Sequence, residues 1–176
     1  MRLLESFYDN EQANIIRKEC SEIVSIFQET NRLLYRGSDH SYREFDFIKH
    51  RNDRKTRNTD QYKSDKIDNE FYKLFGWRPR KEGVFVTADS SDAVFYGDFL
   101  YIIFPKNGFK FIWSDKIVDM IEANLDNDEE IKKTTLTYTD KYLKNALKSN
   151  HEIMIKCDGY YVLHNIRLVD SLILLR

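Results

Sequence analysis

An α+β fold is what this sequence predicts, and three observations carry that reading. Helical periodicity is strongest early in the chain, apolar and aromatic runs of strand length are spread through the later two-thirds, and the turns between those runs hold Pro, Gly, Asn and Asp. A βαβ nucleotide-binding fold is not indicated, because the chain has neither a GxGxxG turn nor a P-loop.

The elements follow in order. From Asn10 to Gln28, Ile16, Cys20, Ile23, Val24 and Phe27 recur at three- and four-residue spacing, predicting one amphipathic helix with Asp9 or Asn10 as N-cap. "RLLYR" then reads as a short buried strand ending at Arg36, with turn chemistry behind it at Gly37, Ser38 and Asp39. Residues 40–66 are locally basic and poor in large aliphatics, so a long loop is expected there. Ile67, Phe71, Leu74 and Phe75 predict a helix that Gly76 stops. "EGVFVTADSSDAVFYGD" reads as a strand, a polar turn and a short helix ended by Gly97.

"FLYIIFPKNGFKFIWSD" reads as a hairpin, two strands joined through Pro105 to Gly108. "KIVDMIEANL" has helical spacing, "DNDEEIKK" reads as a solvated acidic segment, and "YTDKYLKNALKSN" as a helix capped by Thr or Asp. Two further strands, "EIMIKC" and "YYVLHNIRLV", flank Asp158 and Gly159, and "SLILLR" closes the chain. The aromatic side chains Phe85, Phe95, Tyr96, Phe104, Phe109, Phe111 and Trp113 are expected chiefly in core and strand packing.

At 176 residues the chain suits one hydrophobic core, so residues 1–176 are read as a single domain. Charged residues make up 32% of the chain, yet the net charge is only -1, so the overall field gives no reason to expect nucleic-acid or membrane binding. Cys20 and Cys157 belong to no metal-ligand spacing, which points to a reduced, metal-free protein. No run approaches the ~18 apolar residues of a membrane span, and "MRLLESFYDN" has no signal-peptide core. A cytoplasmic protein is expected.

Three polar side chains sit where predicted strands leave the core: Arg36 in "LLYRG", Thr87 in "GVFVTADSSDAVFYG" and Glu152 in "SNHEIMIKCDGYYVL". Such positions hold functional groups rigidly. Taken alone, Arg36 reads as a surface ion-pair partner and Glu152 as a solvated carboxylate. His151 and His164 read as solvated groups.

In this order, Arg36, Thr87 with Ala93 and Tyr96, and Glu152 resemble the arginine–serine–glutamate class of ADP-ribosyltransferases, and in particular short members encoded by bacteriophages. The likeness runs from about Leu33 to Leu163. It implies two packed, mainly antiparallel sheets with an NAD⁺ cleft between them and helices at the flanks. It implies NAD⁺ as substrate, Arg36 as a clamp on its phosphate or ribose oxygens, Gly37 as a point of close backbone approach, and Tyr96 as a stacking partner for nicotinamide. Glu152 would be the catalytic residue, stabilising the positive charge that builds on the ribose when the nicotinamide bond breaks, with Thr87 supporting it.

Arginine-modifying members carry an acidic group two residues before the glutamate, and here that place holds Asn150, which has no basic lone pair to offer. An acceptor other than arginine, or water, then fits better. The expected activity is mono-ADP-ribosyl transfer to a macromolecule, a protein rather than nucleic acid, in a host cytoplasm if the chain is phage-encoded. NAD⁺ glycohydrolase and a silent NAD-fold binding module stand as alternatives. Three readings of the 40–66 segment also stay open: a solvated loop, a lid that brings Arg51 or Arg54 over the NAD⁺ phosphates, or an electrostatic landing surface.

Overall fold

A computed structural model describes residues 2–50, 60–120, 123 and 125–164, with side chains from Glu11 onward. Its strands form two four-stranded antiparallel sheets. The first has the order β1 (Tyr35–Ser38), β4 (Phe99–Pro105), β8 (Gly159–Leu163), β2 (Phe45–Lys49). The second has the order β3 (Val84–Val86), β7 (Ile153–Lys156), β5 (Lys110–Ser114), β6 (Tyr138–Thr139). The α+β expectation holds, and so does the antiparallel character of the sheets.

The early amphipathic run forms two helices instead of one, α1 (Arg2–Glu19) and α2 (Ser21–Thr30). Asn107 causes the break from far along the chain. Its backbone N–H donates to the Glu19 carbonyl at 2.8 Å, its side-chain NH₂ to the Lys18 carbonyl at 3.3 Å, and its side-chain oxygen accepts from the Glu22 N–H at 3.0 Å. One amide thereby caps the end of α1 and the start of α2, satisfying groups that a helix terminus leaves open. Ile16, Cys20, Ile23 and Phe27 stay buried across the break.

The predicted hairpin is absent. β4 lies in the first sheet, paired with β1 and β8, and β5 lies in the second, paired with β7 and β6. The turn between them carries the chain from one sheet to the other, with Gly108 at φ 79°. The Asp158–Gly159 connection does the same between β7 and β8, and the two crossings touch where the Lys106 N–H donates to the Gly159 carbonyl at 3.1 Å. Strands that are apolar on both faces suit this arrangement better than a half-solvated hairpin.

Where one core was expected, the buried side chains form two clusters. Ile153, Ile155 and Trp113 turn inward to the cluster shared with the first sheet and α2. Met154 and Ile112 point the other way, into a cluster with Ile67 and Phe71 of α3 (Gln61–Phe75) and Ile131 of α6 (Asp128–Thr135). The alternation follows from the two-residue period of a strand buried on both faces.

Several local expectations need correction. The 40–66 segment contains β2 and the first turns of α3, which starts at Gln61 because Asp60 caps it by accepting from the Lys63 N–H at 3.2 Å. Arg51 and Arg54 lie outside the described residues. The acidic run is not merely solvated: Asn127 caps α6, Ile131 and Thr135 are buried, and Lys66 pairs with Asp128 at 2.7 Å. Lys116–Met120 is not helical, since the Ser114 hydroxyl accepts the Lys116 and Ile117 N–H groups and turns the chain; the rest of that predicted helix falls partly outside the described residues. The helix α7 (Leu143–Ser149) starts late, because Tyr138 and Thr139 pair with β5 as β6. Short helices α4 (Pro79–Glu82), α5 (Ser90–Ala93) and the 3-10 turn Val94–Tyr96 complete the chain order.

Candidate active site at the junction of the sheets

Thr87 joins the two sheets. Just past β3, it exchanges backbone hydrogen bonds with Tyr35 of β1, at 2.7 Å and 3.0 Å, in an isolated antiparallel bridge. Its buried hydroxyl donates to the Asn150 carbonyl at 2.9 Å and accepts from the Asp89 N–H at 3.1 Å. A single threonine therefore ties β1, β3 and the approach to β7 together. That approach is bent, with Asn150 in the left-handed region at φ 62°, a conformation Asn tolerates better than most residues. The Asn150 NH₂ reaches Asp89 at 3.5 Å, and its side-chain oxygen is buried with no hydrogen-bond partner among the described residues.

Glu152 is the residue before β7. The β3–β7 ladder ends where Val86 pairs with Ile153, so Thr87 and Glu152 each lie one residue beyond its last pair. The Glu152 N–H donates to the Val118 carbonyl at 2.8 Å, and its carboxylate accepts from the Met120 N–H at 3.4 Å. Between those two contacts lies Asp119, 9% exposed, whose carboxylate accepts the Tyr96 phenol. Sequence periodicity placed Asp119 in a helix and so hid it.

Arg80, on α4, is 7% exposed. Its Nε donates to the Ser64 hydroxyl at 3.0 Å, and the Asp68 carboxylate accepts the Arg80 and Lys81 backbone N–H groups at 2.8 and 3.0 Å. Burial lowers the Arg80 pKa, while Asp68, Glu152, Tyr138 and Asp119 pull it the other way. Burial raises the Tyr138 phenol, with Glu152 and Asp119 adding to the shift. Two carboxylates, a guanidinium and a phenol thus share one poorly solvated neighbourhood, in which charge interactions are stronger than in water. Nothing in the spacing of "WRPRKEG" sets Arg80 apart from a solvated basic residue.

Arg36 is inside β1, not at a strand end: it sits opposite Tyr101 and is half-buried. Its Nη1 donates to the Phe85 carbonyl on β3 at 3.1 Å, so the guanidinium spans the same seam that Thr87 closes. Gly37 has a structural reason of its own, since a Cβ there would come within 2.1 Å of the Ala93 carbonyl. Tyr96 is 50% exposed and anchored by Asp119. Phe95 corrects the core expectation: it is 84% exposed. His151 is held by a 2.8 Å contact between Nδ1 and the Ser114 carbonyl, and His164 is exposed.

The structure therefore bonds Thr87 to Asn150, two residues before Glu152, and holds Glu152 against Val118 and Met120, which flank the Asp119 that anchors Tyr96, with Arg36 on the adjoining seam. Arg80 and Asp119 are the polar groups that sequence reasoning missed. No three His, Cys, Asp or Glu side chains among the described residues are grouped to hold a metal ion, and no described helix is long and apolar enough to cross a membrane. Comparison with protein-family models, curated proteins and solved structures gave no match.

Proposed function

We propose that the chain is an NAD⁺-dependent mono-ADP-ribosyltransferase with Glu152 as its catalytic carboxylate. The observation that carries this reading is the Thr87 junction. It ties β1, which bears Arg36, to the segment that leads into Glu152, so a guanidinium and a carboxylate flank the junction of the two antiparallel sheets, which supports the reading. The bond between nicotinamide nitrogen and ribose C1′ breaks, and the nitrogen keeps the electron pair and leaves as neutral nicotinamide. Glu152 stabilises the cationic sugar that remains, through a charge already in place before the reaction. An acceptor heteroatom then bonds to C1′ and releases its proton to solvent. Arg36 holds anionic oxygens of NAD⁺ through its guanidinium fork, and Tyr96 offers a ring face to the nicotinamide cation.

Nicotinamide release from NAD⁺, measured with and without a cell lysate as acceptor source, tests the reading. Wild type is expected to release nicotinamide, and Glu152→Gln to lose on the order of 10²–10³ in rate while still binding NAD⁺. Unchanged turnover in the variant removes Glu152 from its role. Asn150 favours a second reading, NAD⁺ glycohydrolase, because an amide already engaged with Asp89 provides no base for an acceptor. Release that is independent of lysate selects it. NAD⁺ binding without release in any condition selects a silent binding module.

A further inference from the structure

Phe95 is more exposed than any other large apolar side chain among the described residues. Leaving a phenylalanine in water forgoes the free energy that burying it would release. Loose chain does not explain it. The turn that carries Phe95 is locked against β1 on both sides: a Cβ at Gly37 would strike the Ala93 carbonyl at 2.1 Å, and one at Gly97 would strike the Ser38 backbone at 2.3 Å. Upstream, Asp89 caps the turn by accepting from the Ser91 N–H at 2.8 Å. Tyr96 is tied to Asp119 and Ala93 is buried, so the ring is presented from a fixed base.

Its chain neighbours Val94 and Tyr96 are 49% and 50% exposed, and Val118, next to the Asp119 that holds Tyr96, is 52% exposed. Val118 also supplies the carbonyl that accepts the Glu152 N–H, so the apolar corner borders the proposed catalytic carboxylate. The chain on both sides of Phe95 is acidic. Between Lys81 and Lys106 the chain contains Glu82, Asp89, Asp92 and Asp98 and no basic residue, and Asp92 and Asp98 are exposed on either side of Phe95. Arg32, near Asp89, and Lys116, two residues before Val118, mark the margin.

We propose that this corner docks a basic, extended protein segment, and that the segment carries the acceptor. Lys and Arg stems pack along an aromatic ring while their cations meet carboxylates or the ring face. A rigid aromatic gives contact area at small entropic cost, and such residues dominate binding energy at interfaces. Nucleic acid is disfavoured, since Asp92 and Asp98 repel phosphate. The docking does not depend on the transferase reading; only the acceptor role rests on it.

Fluorescence anisotropy tests the surface without NAD⁺. The probes are a short labelled peptide rich in Lys and Arg, the same peptide with Glu and Asp in their place, and a short single-stranded RNA. The basic peptide is expected to bind wild type in a salt-sensitive way, and Phe95→Ser to weaken it about tenfold or more, the scale of an interface anchor. Asp92→Asn combined with Asp98→Asn is expected to weaken it further and flatten the salt dependence. The melting temperature of Phe95→Ser should match wild type, as the ring is exposed. Its lysate-free nicotinamide release should match as well. Equal binding of basic and acidic peptides, or full affinity in Phe95→Ser, overturns the proposal. So does tighter binding of RNA, or concentration-dependent dimerisation that Phe95→Ser abolishes, which would assign the face to a second copy. Peptide binding without NAD⁺ cleavage keeps the docking surface and sinks the transferase reading.

Discussion

Asp68 shows how a buried side chain can work against the fold at neutral pH. It is 2% exposed, and burial pushes its carboxyl from the ordinary 3.8 up to about 6, even though two backbone N–H groups and the Arg80 charge favour the ionised form. A carboxyl that holds its proton more tightly when folded stabilises the fold below pH ~4, and this contribution is lost as pH rises to about 6. Wild type is thus expected to lose on the order of 3 kcal/mol from this group over that window, at 1.36 kcal/mol per unit. Denaturant midpoints taken from pH 4 to 7 check this, and Asp68→Asn should show a flatter profile; an unchanged slope would refute the assignment. Thr87 and Glu152 were legible in the sequence because each ends or begins an apolar run. Arg80 and Asp119 were not, because their burial comes from elements distant in the chain, and a lone charged residue looks the same in a sequence whether solvated or enclosed.

At the scale of elements, the legible features were those with local causes. The end of α3 at Gly76, at φ 73°, and the strand, turn and short helix from Val84 to Gly97 follow from nearby residues. The break at Cys20 does not, since its cap is supplied by Asn107. Asn107→Ala is expected to lower stability by about 1–2 kcal/mol, the range for loss of a helix cap. A chemical denaturation curve with unchanged slope and a lower midpoint would be the sign of it, and a midpoint equal to wild type would mean the break is held by other contacts. The supposed β4–β5 hairpin failed for a related reason: a Pro-to-Gly turn permits a reversal without specifying which sheet each arm will join. Apolar residues on both faces of β4 and β5 suit enclosure more than hairpin pairing.

For the molecule as a whole, composition and the distribution of patterns were enough for the α+β class, while the division into two sheets and two apolar clusters was not. That division depends on strand partners far apart in sequence, such as β2 with β8, which no local pattern encodes. Four chain crossings and the Thr87 bridge join the sheets, so they should open together. Native-state hydrogen exchange is expected to give the same opening free energy for Ile103 and Val162 in the first sheet as for Ile112 and Met154 in the second, with the edge strand β2 opening earlier. Distinct plateaus for the two sheets would show separate cooperative units.

The Asn107 cap also bears on synthesis. During translation, Ser21 and Glu22 leave the ribosome long before Asn107 does, a delay on the order of ten seconds at about 5–20 residues per second. Throughout that interval the two helical segments lack the amide that separates them, and nothing obliges the nascent chain to break at Cys20. The N-terminal region therefore has time to form one continuous helix with an apolar stripe before the turn after β4, which brings the Asn107 cap, has emerged.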